Sequence, residues 1–166
     1  TADKIVIDEV AYSSKWHAHS VKNVKGVALE RIDPDAATQD EANWTSASET
    51  VGYGTPGYQN SQYKDASSGD ATGIEPPVWI EESGSYTVSY LLDRPGYSCR
   101  AFVFNTSGLR VAEISNHELL GISGKITWSG VANNGSPLQT GVYIFYAEIY
   151  HPEGTVKRFK KAFLIR

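Results

Sequence analysis

The stretch GVYIFYAEIYHPEGTVKRFKKAFLIR, residues 141–166, decides the fold class. Tyr143, Phe145, Ala147 and Ile149 recur at every second position, and Phe159, Phe163 and Ile165 share one parity in the run that follows. A period of two is that of a strand with one buried face. Between the runs, His151-Pro-Glu-Gly154 supplies turn chemistry, because Pro fixes φ and Gly tolerates positive φ. The two runs therefore read as a hairpin, and the residues of that parity are the candidate core.

Working back along the chain, Tyr86–Leu92, Ser98–Phe104, Leu109–Ile114 and Gly124–Trp128 are short runs rich in β-branched and aromatic residues. Asn105–Gly108 and Asn133–Gly135 punctuate them. Short strands at this spacing predict a β-sandwich over residues 74–166. Residues 64–73, KDASSGDATG, contain no large apolar side chain and read as a linker. Before it, Ile5–Tyr12 and the run through Val27, Leu29 and Ile32 predict two strands. Asp33-Pro-Asp35 ends the second, and the long polar stretch 36–63 requires an anchor, for which Trp44 is the candidate. The chain thus divides into a β segment at 1–63, a linker at 64–73 and a sandwich at 74–166. Thr1-Ala-Asp-Lys4 carries neither methionine nor a basic leader, so the sequence reads as an internal fragment of a longer protein.

Composition agrees with an all-β protein: 166 residues include 15 Gly, 7 Pro, 10 Tyr and 4 Trp, which favour turns and pleated surfaces over long helices. No window of eighteen apolar residues spans a bilayer, so no transmembrane segment is expected. The net charge of −4 argues against nucleic acid as a partner. That charge is uneven, since residues 114–166 carry six basic and three acidic side chains, with Lys157, Arg158, Lys160, Lys161 and Arg166 at the end. The alternation with Phe159, Phe163 and Ile165 favours a strand with a wet, charged face over a polyanion site.

Chemistry-bearing residues are sparse. The single cysteine, Cys99, excludes an intrachain disulfide and a cysteine-based zinc cluster, and reads as a small buried hydrophobe. His17 and His19 have the spacing of two ligands on one strand face but lack a third, and Asp33, Asp35, Asp40 and Glu41 lack the calcium-loop pattern. No nucleophile elbow, P-loop or dinucleotide fingerprint occurs. The expectation is a non-enzyme without metal or cofactor. Loop aromatics remain: Trp16, Tyr53, Tyr58 and Trp79 are the candidate binding residues for a glycan or protein, although packing of the long loop is the simpler role.

Two resemblances add to this reading. Val6–Tyr63, through GVALERI, NWTSAS and TPGYQNS, resembles the closing half of a bacterial lamin tail domain, whose opening strands have no counterpart here. Residues 73–166, through YLLDRPGY, WSGVANNGSPLQTGVY and KRFKKAFLIR, resemble the flagellar hook-capping-type Ig-like domain of Bacteroidetes surface proteins and are similar to type IX secretion sorting domains. The resemblance implies an exported, non-catalytic C-terminal module that is sorted, anchored or displayed by secretion or surface-anchoring machinery, hence secreted or at the outer-membrane surface. Its sorting-like motif falls on Gly141, Tyr143, Lys160 and Lys161. Where relatives carry an aspartate-rich segment and a Trp-Asp-Gly turn, this chain has Glu75–Gly84 and Trp128-Ser-Gly130, which weakens any metal expectation. The alternatives are a glycan- or protein-binding module and the accessory domain of an upstream hydrolase. A partial lamin-tail segment also needs cover for its apolar face, and the expected source is a second chain, ahead of an upstream fragment or docking on the sandwich.

Overall fold

Alternation places the terminal hairpin and β-rich runs of the sandwich close to where the sequence puts them. The structure is a computed structural model that describes residues 5–64, 69 and 71–166. In chain order the strands are β1 (Leu29–Arg31), β2 (Trp44–Ser46), β3 (Gly73–Ile74), β4 (Val78–Ile80), β5 (Ser85–Leu91), β6 (Ser98–Phe104), β7 (Arg110–Leu119), β8 (Ser123–Trp128), β9 (Gly141–Tyr150) and β10 (Val156–Ile165). The first pair forms a two-stranded antiparallel sheet. The remainder form two antiparallel sheets, β10-β9-β6-β7 and a second sheet in which β5 is flanked by β8 on one side and by β3 and then β4 on the other. Three of the strands outside the hairpin, β5, β6 and β8, match the expected runs closely, and β7 extends to Leu119 where Ile114 is the expected end. The fold is an all-β sandwich with a smaller β segment beside it.

Between the sheets lies one core. Tyr86, Val88 and Tyr90 of β5 and Ile126 and Trp128 of β8 face Cys99, Ala101 and Val103 of β6, Phe145, Ala147 and Ile149 of β9, and Phe163 and Ile165 of β10. All are buried because successive strand residues alternate faces, so i, i+2 and i+4 enter together. Tyr143 is only half-buried and Phe159 likewise, each packing on the core margin. The terminal hairpin keeps one register throughout, from Val156 opposite Tyr150 to Ile165 opposite Gly141. Gly154, at φ 93°, lets the turn close. One departure concerns the basic run. Lys161 pairs with Phe145 and Lys157 with Ile149, so both stand on the same face as Phe163, at the sheet margin, rather than on an opposite wet face. An edge strand permits this, because its flexible ammonium tips reach water past the rim.

The N-terminal segment departs further. Ile5–Tyr12 forms no regular element and pairs with no strand among the described residues, since a β-branched run becomes a ladder only where a neighbour offers backbone groups. β2 falls in a stretch that composition makes a loop. It forms because Trp44 is anchored as expected: its indole Nε1 donates to Thr38 O at 2.8 Å and its ring lies 6.2 Å from that of Trp16. Glu30, whose place in the run beside Arg31 predicts that it faces water or Arg31, is 3% exposed. Its Oε1 accepts from Thr55 Oγ1 at 2.6 Å, and Oε2 from Ser61 Oγ at 2.7 Å and Gln62 N at 3.1 Å. One carboxylate thereby ties the loop 55–62 to β1.

This segment is fastened to the sandwich. Ile122 N donates to Ser61 O at 2.8 Å, Gln62 Nε2 donates to both Ser46 O and Leu120 O at 3.1 Å, and the hydroxyls of Thr50 and Tyr90 lie 3.0 Å apart. A Cβ on Gly121 would come within 2.5 Å of Ser61 O, so only glycine permits the backbones to approach this closely. Half of the linker stretch, residues 65–68 and 70, lies outside the described residues.

Candidate functional site

Two surfaces carry Trp16 and the hairpin residues among the sequence-derived site residues, and they are built differently. The first is a cleft of about 260 Å³ where the N-terminal segment meets the turns of the sandwich. A 3₁₀ turn, Ser14–Trp16, capped by Ser13 Oγ accepting from Lys15 N, presents Trp16 and His17. Trp44 supports Trp16 from below, and Pro95, Gly96 and His151 form the opposite wall. His17 Nδ1 lies 2.9 Å from Ser46 Oγ, and burial lowers its pKa. Burial also lowers that of His151, which packs edge-on to Tyr97 at 5.3 Å beside the Arg94 guanidinium. Both imidazoles are therefore neutral at pH 7, able to donate and accept. An aromatic floor rimmed by neutral hydrogen-bonding groups suits a polar ring such as a sugar.

The other candidate aromatics do not join this cleft. Tyr53 is half-buried at φ 64°, and burial together with the Glu49 carboxylate pushes its phenol up to about 12. Tyr58 is 83% exposed. Trp79 is 37% exposed on β4, with its ring 5.1 Å from Tyr86 and its Nε1 donating to Glu81 Oε2 at 2.6 Å. It separates two shallow clefts beside β10, one reaching Ser129 and Leu138 and the other Pro77 and Leu164. The structure thus brings Trp16 and Trp44 together and leaves Tyr53, Tyr58 and Trp79 on other surfaces. The contribution of His151, 134 positions from His17 in the chain, had no local sequence signal.

The second surface is the terminal hairpin. Gly141 and Tyr143 begin β9, and Lys160 and Lys161 lie midway along β10, which is the edge of its sheet. The basic residues differ in their partners. Arg158 Nε binds Glu148 Oε2 at 2.8 Å, and Lys157 Nζ binds Asp93 Oδ1 at 2.9 Å over the ring of Tyr97. Lys160 and Lys161 are exposed and have no acidic partner among the described residues. Asp93 also accepts from Thr72 Oγ1 at 2.6 Å. Burial would raise its carboxyl, but these hydrogen bonds prevail and bring it down to about 2. Because the folded pKa lies below the unfolded one, the stabilisation is complete above about pH 4 and is lost as pH falls toward 2. Asp93→Asn is accordingly expected to melt below the parent chain at pH 6, with the two melting temperatures converging at pH 2. A gap that persists at pH 2 would contradict the assignment.

Cys99 is buried, and burial pushes its thiol up to about 12, so it takes no part in thiolate chemistry. Among the described residues no three of His, Cys, Asp or Glu are grouped to hold a metal ion. No helix among them is long and apolar enough to cross a membrane.

No family model matches the chain, and no curated protein matches it. Among solved structures it is similar to PorZ, described as an essential bacterial surface component of the type-IX secretion system of Porphyromonas gingivalis, with 14% identity and a TM-score of 0.35. The match covers 75% of this chain and 14% of PorZ, so the chain spans a small part of that protein's length. A likeness at that level carries no inference about function.

Proposed function

We propose that the chain is a non-catalytic module of a larger exported protein, acting in sorting, anchoring or display at the cell surface through secretion or surface-anchoring machinery. The observation that supports this most is the terminal hairpin: an edge strand with two exposed lysines, Lys160 and Lys161, that have no acidic partner among the described residues and lie outside the core that Phe145, Phe163 and Ile165 complete. The hairpin is rigid where it must fold and charged where a receptor would meet it. Its likeness to sorting domains in GVY and KRFKKAFLIR points the same way. Because β9 lies inside its sheet, deletion of residues 141–166 would remove core and report on folding. The informative variant is Lys160→Glu with Lys161→Glu, which alters exposed charge alone. Surface delivery of the full-length protein, read by protease accessibility on intact cells, is expected to fall. Normal delivery of the folded variant would reject the sorting role.

A second reading, glycan binding, is supported by the Trp16 cleft. Soluble oligosaccharides would quench or shift the tryptophan fluorescence of the parent chain and not that of Trp16→Ala. An unchanged spectrum across a glycan panel would remove this reading.

A further inference from the structure

Among the described residues, one segment of strand composition without a ladder and one open strand edge match each other. The segment is Ile5–Tyr12, IVIDEVAY, which pairs with no strand, with Ile5 86% and Ile7 97% exposed. The edge is the outer side of β10, a ten-residue strand with continuous register to β9 and no strand paired on its far side among the described residues, although Pro77 and Trp79 border its residues Ala162–Leu164. Other edges of the sandwich are shorter or irregular, and β8 has six residues. β7 is offset by three register shifts against β6, and the β3–β4 edge is broken by Pro76 and Pro77. A long, regular, uncovered edge is a template for strand addition.

We infer that Ile5–Tyr12 of one chain adds as an antiparallel strand to the β10 edge of a second copy. The charges select this occupant. Asp8 and Glu9 are adjacent and so point to opposite faces of a strand, as do Lys160 and Lys161. Placing Asp8 opposite Lys161 and Glu9 opposite Lys160 fixes the register, and the apolar side chains then fall into place. Val6 meets Phe163 and Val10 meets Phe159 on the core side. Ile7 meets Ala162 on the outer side, extending the row that runs from Phe104 through Ile144 to Ala162. A one-residue slip would break every one of these pairs. In the isolated chain Asp8 lies 3.3 Å from Arg31, a half-exposed surface pair that it exchanges for Lys161.

The backbone agrees. His151 N donates to Thr155 O at 2.8 Å, which makes that pair the hydrogen-bonded closure of the hairpin. Antiparallel bonding alternates, so Lys157, Phe159 and Lys161 bond to β9, while the N–H groups of Arg158, Lys160 and Ala162 point outward. These are the groups that the register sets against Ala11, Glu9 and Ile7. Donor and acceptor are different surfaces of one chain, so the contact is head-to-tail and propagates.

Proline variants separate the two halves. Ile7→Pro removes a donor-strand N–H at a residue exposed in the isolated chain, and Lys160→Pro removes an outward N–H without touching a bond to β9. By light scattering and sedimentation, the parent chain is expected to exceed 18.2 kDa increasingly with concentration, and less so as ionic strength rises. Each variant alone is expected to be a monomer, and an equimolar mixture to stop at two chains, because each supplies the half the other lacks. Should circular dichroism show Lys160→Pro unfolded, Lys160→Glu with Lys161→Glu takes its place in the mixture and is expected to weaken self-association at least tenfold. A parent chain monomeric throughout, a variant that still assembles alone, or a mixture that stays monomeric would each overturn the inference.

Discussion

Phe145→Ala is expected to destabilise the chain by about 3–5 kcal/mol. Phe145 is fully buried in β9, between Val103 of β6 and Lys161 of β10, and the ring fills the space between the two sheets. Its loss removes the transfer free energy of the side chain and leaves a cavity, which a strand paired on both sides cannot collapse to fill. The exposed Val142→Ala, three residues earlier and on the other parity, is expected to cost less than about 1 kcal/mol. Equilibrium urea unfolding measures both. Near-equal midpoints for the two variants would mean that the inward face of β9 is the other one.

Glu30→Ala is the second large effect, about 2–4 kcal/mol, and its origin is different. No apolar contact is at stake. The substitution strands the donors of Thr55, Ser61 and Gln62, all aimed at a carboxylate that is 3% exposed. An unmade buried hydrogen bond costs the full desolvation of its donor, so the loop 55–62 is expected to loosen from β1. Glu30→Gln keeps one carbonyl acceptor and is expected to recover part of the loss. Thermal unfolding read at Trp44 reports it, and a melting temperature within a degree of the parent would show that water satisfies these donors as well as Glu30 does.

The contrast between Phe145 and Glu30 shows what the sequence discloses. Alternation is a local property, so the terminal hairpin and the strands β5, β6 and β8 are legible in the order of residues, close to their observed ends. β7 runs five residues past its expected end because Ser115–Glu118 are polar yet pair with β6 across bulges. The polar pattern gave no sign that a partner strand was present. Glu30 reads as facing water or Arg31 for the same reason. Its donors lie 25 to 32 positions away, and no spacing rule links them to it. Ile5–Tyr12 fails in the opposite sense, with strand composition and no ladder. In the candidate sites, Lys160 and Lys161 are named by the resemblance to sorting domains, whereas the wall that His151 and Gly96 raise opposite Trp16 exists only once the N-terminal segment docks. Docking depends on a contact between Ser61 and Gly121–Ile122, and glycine in a turn-rich sequence is too common to mark it.

That docking shapes the Trp16 cleft and leaves Ile5–Tyr12 and the outer edge of β10 without a strand partner among the described residues. Residue-resolved amide hydrogen exchange of the dilute chain tests it at one group, the Ile122 N–H, which donates to Ser61 O at 2.8 Å. The expected result is protection of Ile122 comparable with that of Phe145 at the centre of β9, both exchanging only through global unfolding. Exchange of Ile122 at the rate of an exposed loop amide, with Phe145 still protected, would show that the N-terminal segment is not fastened to the sandwich.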